Sequence, residues 1–431
     1  MASFIASEKQ SSTTQYLDSL SDFIATAVHP KFTLVDTVKK GVAYHHGKLP
    51  YHVQLLIEDG IRKKEIKTIV CTTTLLQGVN LPVQNIIIRN PNLYTIKREN
   101  SSKLSTYEIG NLRGRAGRLL KDFIGRTYIL DEKSFKEEDS QQLDLFNGSA
   151  KELQVGYGKT YQTYKGAIKN DIAENIGTTP ENEAYAFLTT YLRQAVIKYG
   201  ITSQEYLQRV GIKLTDKELG DILQSVNNLQ IDKTVCNRNR YWDPVDLNAL
   251  YLKRNQLSLP KSATELNIAY SLKTVLQSMK LEFPVYYNRY FDVQEIQGKD
   301  ILLQKCIQAE YWLKERTLSE IFSDPYYNTS EQIDDTISFL QNKISYGLPL
   351  LLKPLCDIKE PEAMFTRFIE LGAYRPTTRK LIELSIPRET AIYLTNTFQF
   401  EDIGDKMYLL NRLRKIKNEL PFWYRVQLTA V

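Results

Sequence analysis

Apolar residues follow two rhythms along this chain of 431 residues. In the first third, short β-branched runs alternate with stretches of helical period. Gly41-Val-Ala-Tyr-His45 reads as a strand. Val53, Leu56, Ile57 and Ile61 then fall at i, i+3, i+4 and i+8, one face of an amphipathic helix, with Pro50 where a first-turn proline belongs. Lys67 to Cys71, Asn85 to Arg89 and Arg126 to Leu130 read as buried strands. Short apolar strands separated by helices predict a parallel α/β sheet covered on both faces. Beyond about Ser134 the rhythm changes. The polar stretch Glu137-Glu-Asp-Ser-Gln-Gln marks a boundary, and the remainder is helical in period and rich in Leu, Tyr, Lys and Glu. Breaks fall near Asn237 to Pro244, Leu259-Pro-Lys and Ser323 to Thr329. The expected division is an α/β domain over 1–135, a helical or winged-helix-like segment over 136–260, and a helical bundle over 261–431. The bundle ends in a helix-turn-helix unit, Arg375 to Leu394. Thr377 or Thr378 is expected to cap its first helix, and Pro387 to start the second with Glu389 in the first turn.

Composition narrows the class only slightly. Hydrophobic residues make up 42% and charged residues 25%, an ordinary soluble globular balance. The formal net charge of +6 permits a nucleic-acid or acidic-membrane partner without requiring one. Cys71, Cys236, Cys306 and Cys356 are not spaced as metal ligands or as a disulfide framework. His29, His45, His46 and His52 have no thiol near them to make a zinc site, so no metal centre is expected. No apolar run has the length of a membrane span, and the N-terminus lacks the basic and apolar regions of a signal peptide. A cytoplasmic location is the default.

Three segments carry the chemistry, in order: Gly41-Val-Ala-Tyr-His-His-Gly-Lys-Leu-Pro50, Cys71-Thr-Thr-Thr-Leu-Leu-Gln-Gly-Val-Asn-Leu-Pro82, and Glu108-Ile-Gly-Asn-Leu-Arg-Gly-Arg-Ala-Gly-Arg118. Over this first third the chain resembles the second RecA-like domain of superfamily 2 DExH helicases. The resemblance is to the branch of exosome-assisting RNA helicases and archaeal repair helicases. Phe4-Ile-Ala-Ser7 occupies the place of that family's earlier strand and turn. The general plan is also similar to that of bacterial antiphage helicases of the Hachiman type.

Arg115 and Arg118 stand three apart, so they project from neighbouring positions on one helical face. Two guanidinium groups aimed at one point suit a triphosphate and can neutralise charge building on its γ-phosphate. Gly114 and Gly117 cost a helix about 1 kcal/mol each, which a merely solvated basic helix has no reason to bear. They allow a partner's backbone to approach. Asn111 stands where the family has glutamine, and its shorter amide leaves contact with the γ-phosphate open. Thr72, Thr73 and Thr74 end a strand, where their hydroxyls and amides can hold a phosphate backbone without reading bases.

By resemblance, Gly78 and Asn80 couple the ATP cleft to the nucleic-acid groove, and His45, His46 and Gly47 touch the sugar–phosphate backbone. The resemblance further implies ATP and Mg2+, both held mainly by a first motor domain with its own phosphate loop. That domain is absent from this sequence, and the chain is expected to be inactive alone. The implied partners are single-stranded or partly duplex DNA or RNA, and the first motor domain as part of a longer protein or a separate subunit, with no membrane. Two look-alikes are set aside. Gly158-Lys159-Thr160 imitates the end of a phosphate loop but has Leu153 where the motif needs glycine. Tyr128 to Glu132 imitates a metal-binding strand end but follows the arginine motif instead of preceding it. The competing classes are a docking or regulatory subunit that retains helicase motifs, and a basic nucleic-acid-binding module acting through the C-terminal helices.

Overall fold

The computed structural model describes residues 1–9, 13–72, 84–88, 92–93, 102–103, 126–130, 156–260, 262–294, 296–359 and 364–429. The expected strands form where β-branched residues cluster. β1 (Val42–His45) pairs in parallel with β2 (Thr68–Cys71), with His45 opposite Cys71. β3 (Asn85–Ile88) pairs in parallel with β6 (Arg126–Ile129). A short antiparallel pair joins β4 (Asn92–Leu93) to β5 (Ser102–Lys103). The described structure is thus mostly helical with small parallel sheets. β1 is largely buried, whereas β2 is half-buried and β3 and β6 alternate between exposed and more buried residues. Alternation is the mark of a strand covered on one face.

Contacts group the chain into two compact units. The first combines Met1–Ala150, Thr317–Ser338 and Lys380–Val431; the second combines Lys151–Arg316 and Phe339–Arg379. A linear three-part reading does not anticipate this, because long-range packing decides it. In the first unit, Trp423 packs edge-on against Tyr16 at 5.1 Å and donates its indole N–H to Ser19 Oγ at 3.0 Å. The backbone N–H of Leu318 donates to Glu389 Oε2 at 3.0 Å.

The segment at Phe4 is not a strand. Ala2–Glu8 is a helix, since Ala2 and Ala6, one turn apart, both pack with Val42 in one apolar cluster. The Tyr51–Arg62 helix buries Val53, Leu56, Ile57 and Ile61 as the periodicity predicts. Pro50 is its N-cap, with φ −55 and ψ 134, instead of a first-turn residue. Its carbonyl accepts the first helical bond, from Gln54 N at 3.0 Å.

The C-terminal helix pair is present as Pro376–Glu383 and Arg388–Thr397, with Glu389 in the first turn of the second helix. Neither Thr377 nor Thr378 caps the first helix, because Pro376 already begins it. Thr378 is fully buried and its hydroxyl donates to Glu315 Oε2 at 2.9 Å. Leu381, Ile386, Ala391, Leu394, Leu413 and Ile416 belong to one apolar cluster around this unit.

The second unit is built from helices; between residues 156 and 379, among the described residues, there is only an isolated bridge, Ile296 to Lys299, and no strand. No wing strand is therefore seen there to accompany the helices. The helices Gly156–Ala173, Ala186–Tyr199 and Asp216–Asn227 surround one core that includes Leu188, Leu192 and Ile222. Gly158, from the phosphate-loop look-alike, lies inside the first of these, and a Cβ there would come within 2.7 Å of the Gly211 carbonyl oxygen. Its glycine serves close packing. Trp242 stacks on Tyr286 at 3.8 Å between ring centroids. No described helix is long and apolar enough to cross a membrane.

Candidate nucleic-acid-facing loops

Parallel pairing brings two of the predicted segments to one sheet edge. Gly41, at φ +64, turns the chain into β1, and its carbonyl accepts bonds from Lys67 N at 3.0 Å and Thr68 N at 3.2 Å. That fixes the register, so His45 and Cys71 end their strands side by side. Thr72 N donates to His45 O at 3.3 Å just beyond them. The His46–Gly47 loop and Thr72 therefore sit together at the carboxyl edge of β1 and β2. This is the edge where open parallel sheets bind ligands.

The two histidines there differ sharply. His45 is buried at 3% exposure, neither ring nitrogen has a hydrogen-bond partner among the described residues, and its Nε2 lies 3.8 Å from Glu58 Oε1. Its side chain faces inward. His46 is half-buried and its ring stacks on Tyr44 at 5.4 Å and 12°. Its Nδ1 accepts from Lys48 N at 3.2 Å. Burial, then the nearby charge of Lys48, holds its pKa below the usual value. The ring is thus neutral near pH 7, with Nδ1 an acceptor and the proton on Nε2, a single neutral donor. Gly47 and Lys48 are exposed, and Leu49 N donates to His46 O at 3.0 Å, closing the loop. Tyr44 also reaches Asp334 Oδ1 with its hydroxyl at 3.5 Å. Burial pushes the Asp334 carboxyl up to about 6. A stacked ring, an exposed glycine, a lysine and a strand-end threonine at one edge can hold a phosphate backbone without reading bases.

The remaining predicted site residues, Thr73, Thr74, Gly78, Asn80, Asn111, Gly114, Arg115 and Arg118, lie outside the described residues, as does the acidic end of the Tyr128 to Glu132 look-alike. Among the described residues, no group of three or more His, Cys, Asp or Glu could hold a metal.

Sequence reasoning missed a fully buried polar network in the second unit. Arg193, 0% exposed, donates from Nη1 to Asp243 Oδ1 at 2.9 Å and to Ile176 O at 2.9 Å, and from Nη2 to Asp171 O at 2.8 Å. Asp243 also caps the Pro244–Leu252 helix through Val245 N at 2.8 Å. One turn on, Asp246 accepts from Thr178 N and from the Tyr286 hydroxyl. Burial, then the adjacent Asp243 charge, pushes the Asp246 carboxyl well above the usual range. The signals were Arg193 set among Leu188, Leu192 and Val196 on one helix, and the Asp-Pro pair that opens the next.

No family model matches the chain. Part of it is similar to superfamily 2 ATP-dependent DNA helicases at modest identity. It is 30% identical to ATP-dependent DNA helicase Hel308 of Methanocella arvoryzae over 153 residues, which is 36% of this chain and 18% of that protein. Against Hel308 of Pyrococcus abyssi it is 26% identical over 269 residues, 61% of this chain and 36% of that protein. It is also 25% identical to Anti-bacteriophage protein B of Escherichia coli over 124 residues, 29% of this chain and 16% of that protein. The chain thus spans between about a sixth and a third of the length of these relatives.

Proposed function

We propose that this chain is the C-terminal half of an ATP-dependent nucleic-acid helicase, with a RecA-like second motor domain over residues 1–135. The observation that carries this reading is the carboxyl-edge pairing of the His46–Gly47 loop with Thr72, in a chain similar to Hel308 helicases. His46, Gly47, Thr72, Thr73 and Thr74 grip the sugar–phosphate backbone of one strand. His45 shapes the loop from inside. Arg115 and Arg118 act on the γ-phosphate of ATP held with Mg2+ by a first motor domain, and Gly78, Asn80, Asn111 and Gly114 complete this side of the cleft. ATP supplies the free energy when bound, and closure and reopening of the two motor domains shift their grips on the strand. The names of the relatives favour DNA as substrate, and the similarity to Anti-bacteriophage protein B supports a role in phage defence.

The chain alone hydrolyses no ATP under this reading. The test is ATPase activity with and without single-stranded DNA, for the chain alone and together with a phosphate-loop motor domain. DNA-stimulated activity only in the combination supports the reading. Activity of the chain alone, lost in Arg118→Ala, overturns it. A docking subunit is the second reading, and it predicts no stimulated activity in either sample.

A further inference from the structure

The Ala186–Tyr199 helix carries two differently used faces. Leu188, Leu192 and Val196 enter the core with Tyr161 and Leu219. Phe187, Thr190, Tyr191, Gln194 and Lys198, three or four apart, instead line a cavity of about 920 Å3 whose lining residues all belong to the second unit. A helix that buries one apolar face and turns aromatic rings toward an open cavity on another has more apolar surface than its own fold uses.

Among the described residues, charge in the cavity has one sign: Lys198, Arg240 and Arg289 line it, and no described Asp or Glu does. Each cation lies against a tyrosine. Lys198 Nζ is 4.9 Å from the Tyr199 ring centre, and the Arg289 guanidinium is 5.7 Å from that of Tyr286. The Arg240 guanidinium is 5.0 Å from the Tyr241 ring centre and donates to its hydroxyl at 3.1 Å. Aromatic side chains there are also exposed to solvent: Tyr157 is 40%, Phe187 43% and Tyr241 59% exposed. Tyr157 and Tyr191 are stacked at 5.5 Å. Tyrosine contacts hold the cations in place without cancelling their charge.

We propose that this cavity binds a nucleotide unit, with a planar base on the tyrosine faces and its phosphate among Lys198, Arg240 and Arg289. Stacking on rings supplemented by cations is the chemistry that holds bases without reading their edges. The volume lies in the range of small-ligand sites. The shared chemistry can come from a free nucleotide or from an unpaired strand. This inference does not rest on the motor reading, because none of its residues belongs to the three motifs.

The test is calorimetric titration of the full chain with AMP, adenosine, ribose 5-phosphate and an oligothymidine of about eight nucleotides. AMP or the oligomer binds, and Tyr241→Ala and Arg240→Glu each weaken that binding about tenfold or more. Tyr241 is exposed, so its variant keeps its melting temperature and reports on binding alone. Adenosine and ribose 5-phosphate each bind more weakly than AMP, since each lacks half of the ligand. Tight AMP binding identifies a free nucleotide as the occupant, and tight binding of the oligomer alone identifies an unpaired strand. Oligomer binding that falls in Thr72→Ala but not in Tyr241→Ala overturns the proposal and leaves the motor reading standing. Binding of neither probe, binding unchanged by both substitutions, or equal displacement by hexaglutamate also overturns it.

Discussion

Replacing Arg193 by methionine tests what holds the helical unit together. Arg193 and Asp243 are 0% and 1% exposed, so the pair is out of water. Methionine fills much of the space but leaves the Asp243 carboxylate, among the described residues, with Thr190 Oγ at 3.2 Å and Val245 N at 2.8 Å. It also strips a donor from the carbonyls of Ile176 and Asp171. Breaking a buried pair by removing one partner costs about 3–5 kcal/mol, and the Ile176 carbonyl adds about 1 kcal/mol when it loses its donor, whereas the Asp171 carbonyl keeps Ile176 N at 2.8 Å. Set against a total stability of about 5–15 kcal/mol, that loss removes a large share. Hydrogen exchange measured by mass spectrometry on the Ala186–Tyr199 and Pro244–Leu252 helices reads the loss locally, which matters in a chain of two units. Protection there should fall about a hundredfold or more. The double variant Arg193→Met with Asp243→Asn should recover part of it, because the uncompensated charge is gone. A single-variant loss below about 1 kcal/mol, or no recovery in the double variant, would refute the reasoning.

Three further outcomes follow from the packing. Burial, with a smaller contribution from Arg388, pulls the His52 imidazole down to about 3, so the folded chain resists protonation that the unfolded chain accepts below pH 6.5. Stability from this group is complete above 6.5 and is lost as pH falls toward 3, at about 1.4 kcal/mol per pH unit. Urea melts at pH 7 and 5 should differ by about 2 kcal/mol, and His52→Leu should shrink the difference. Gly347→Ala should lower the melting temperature by several degrees, since its Cβ would stand 1.9 Å from the Tyr290 carbonyl oxygen and overpacking costs about 1–3 kcal/mol. Trp423→Ala should cost about 3–5 kcal/mol in the first unit, removing the Ser19 bond and the Tyr16 and Phe23 contacts; a change under 1 kcal/mol would show that this contact is not a tie.

The positions of strands β1, β2, β3 and β6 were legible, and for β1 and the Tyr51–Arg62 helix pattern and burial agree; β2, β3 and β6, read as buried, are instead half-buried or alternate with exposed residues. The Ala2–Glu8 helix was not, since what makes it helical is the packing of Ala2 and Ala6 with Val42, forty residues on. Thr378 looks like a cap by position, but burial gives its hydroxyl to Glu315. The return of 317–338 and 380–431 to the first unit rests on contacts such as Trp423 to Ser19 and Leu318 to Glu389, which leave no local mark in the sequence. At the candidate loops, residue types pointed to a phosphate-facing edge, and the pairing of β1 with β2 brings Thr72 to the His46–Gly47 loop. The sequence could not separate the neighbours His45 and His46, because strand alternation turns one inward and leaves the other beside Tyr44.

The most direct measurement of the central claim is single-stranded-DNA-stimulated ATP hydrolysis by the chain combined with a phosphate-loop motor domain, comparing the native chain with Arg118→Ala. Loss of an arginine finger predicts a fall of about a thousandfold in the rate with DNA affinity unchanged. An unchanged rate in the variant, or equal hydrolysis by the chain alone, would contradict the account.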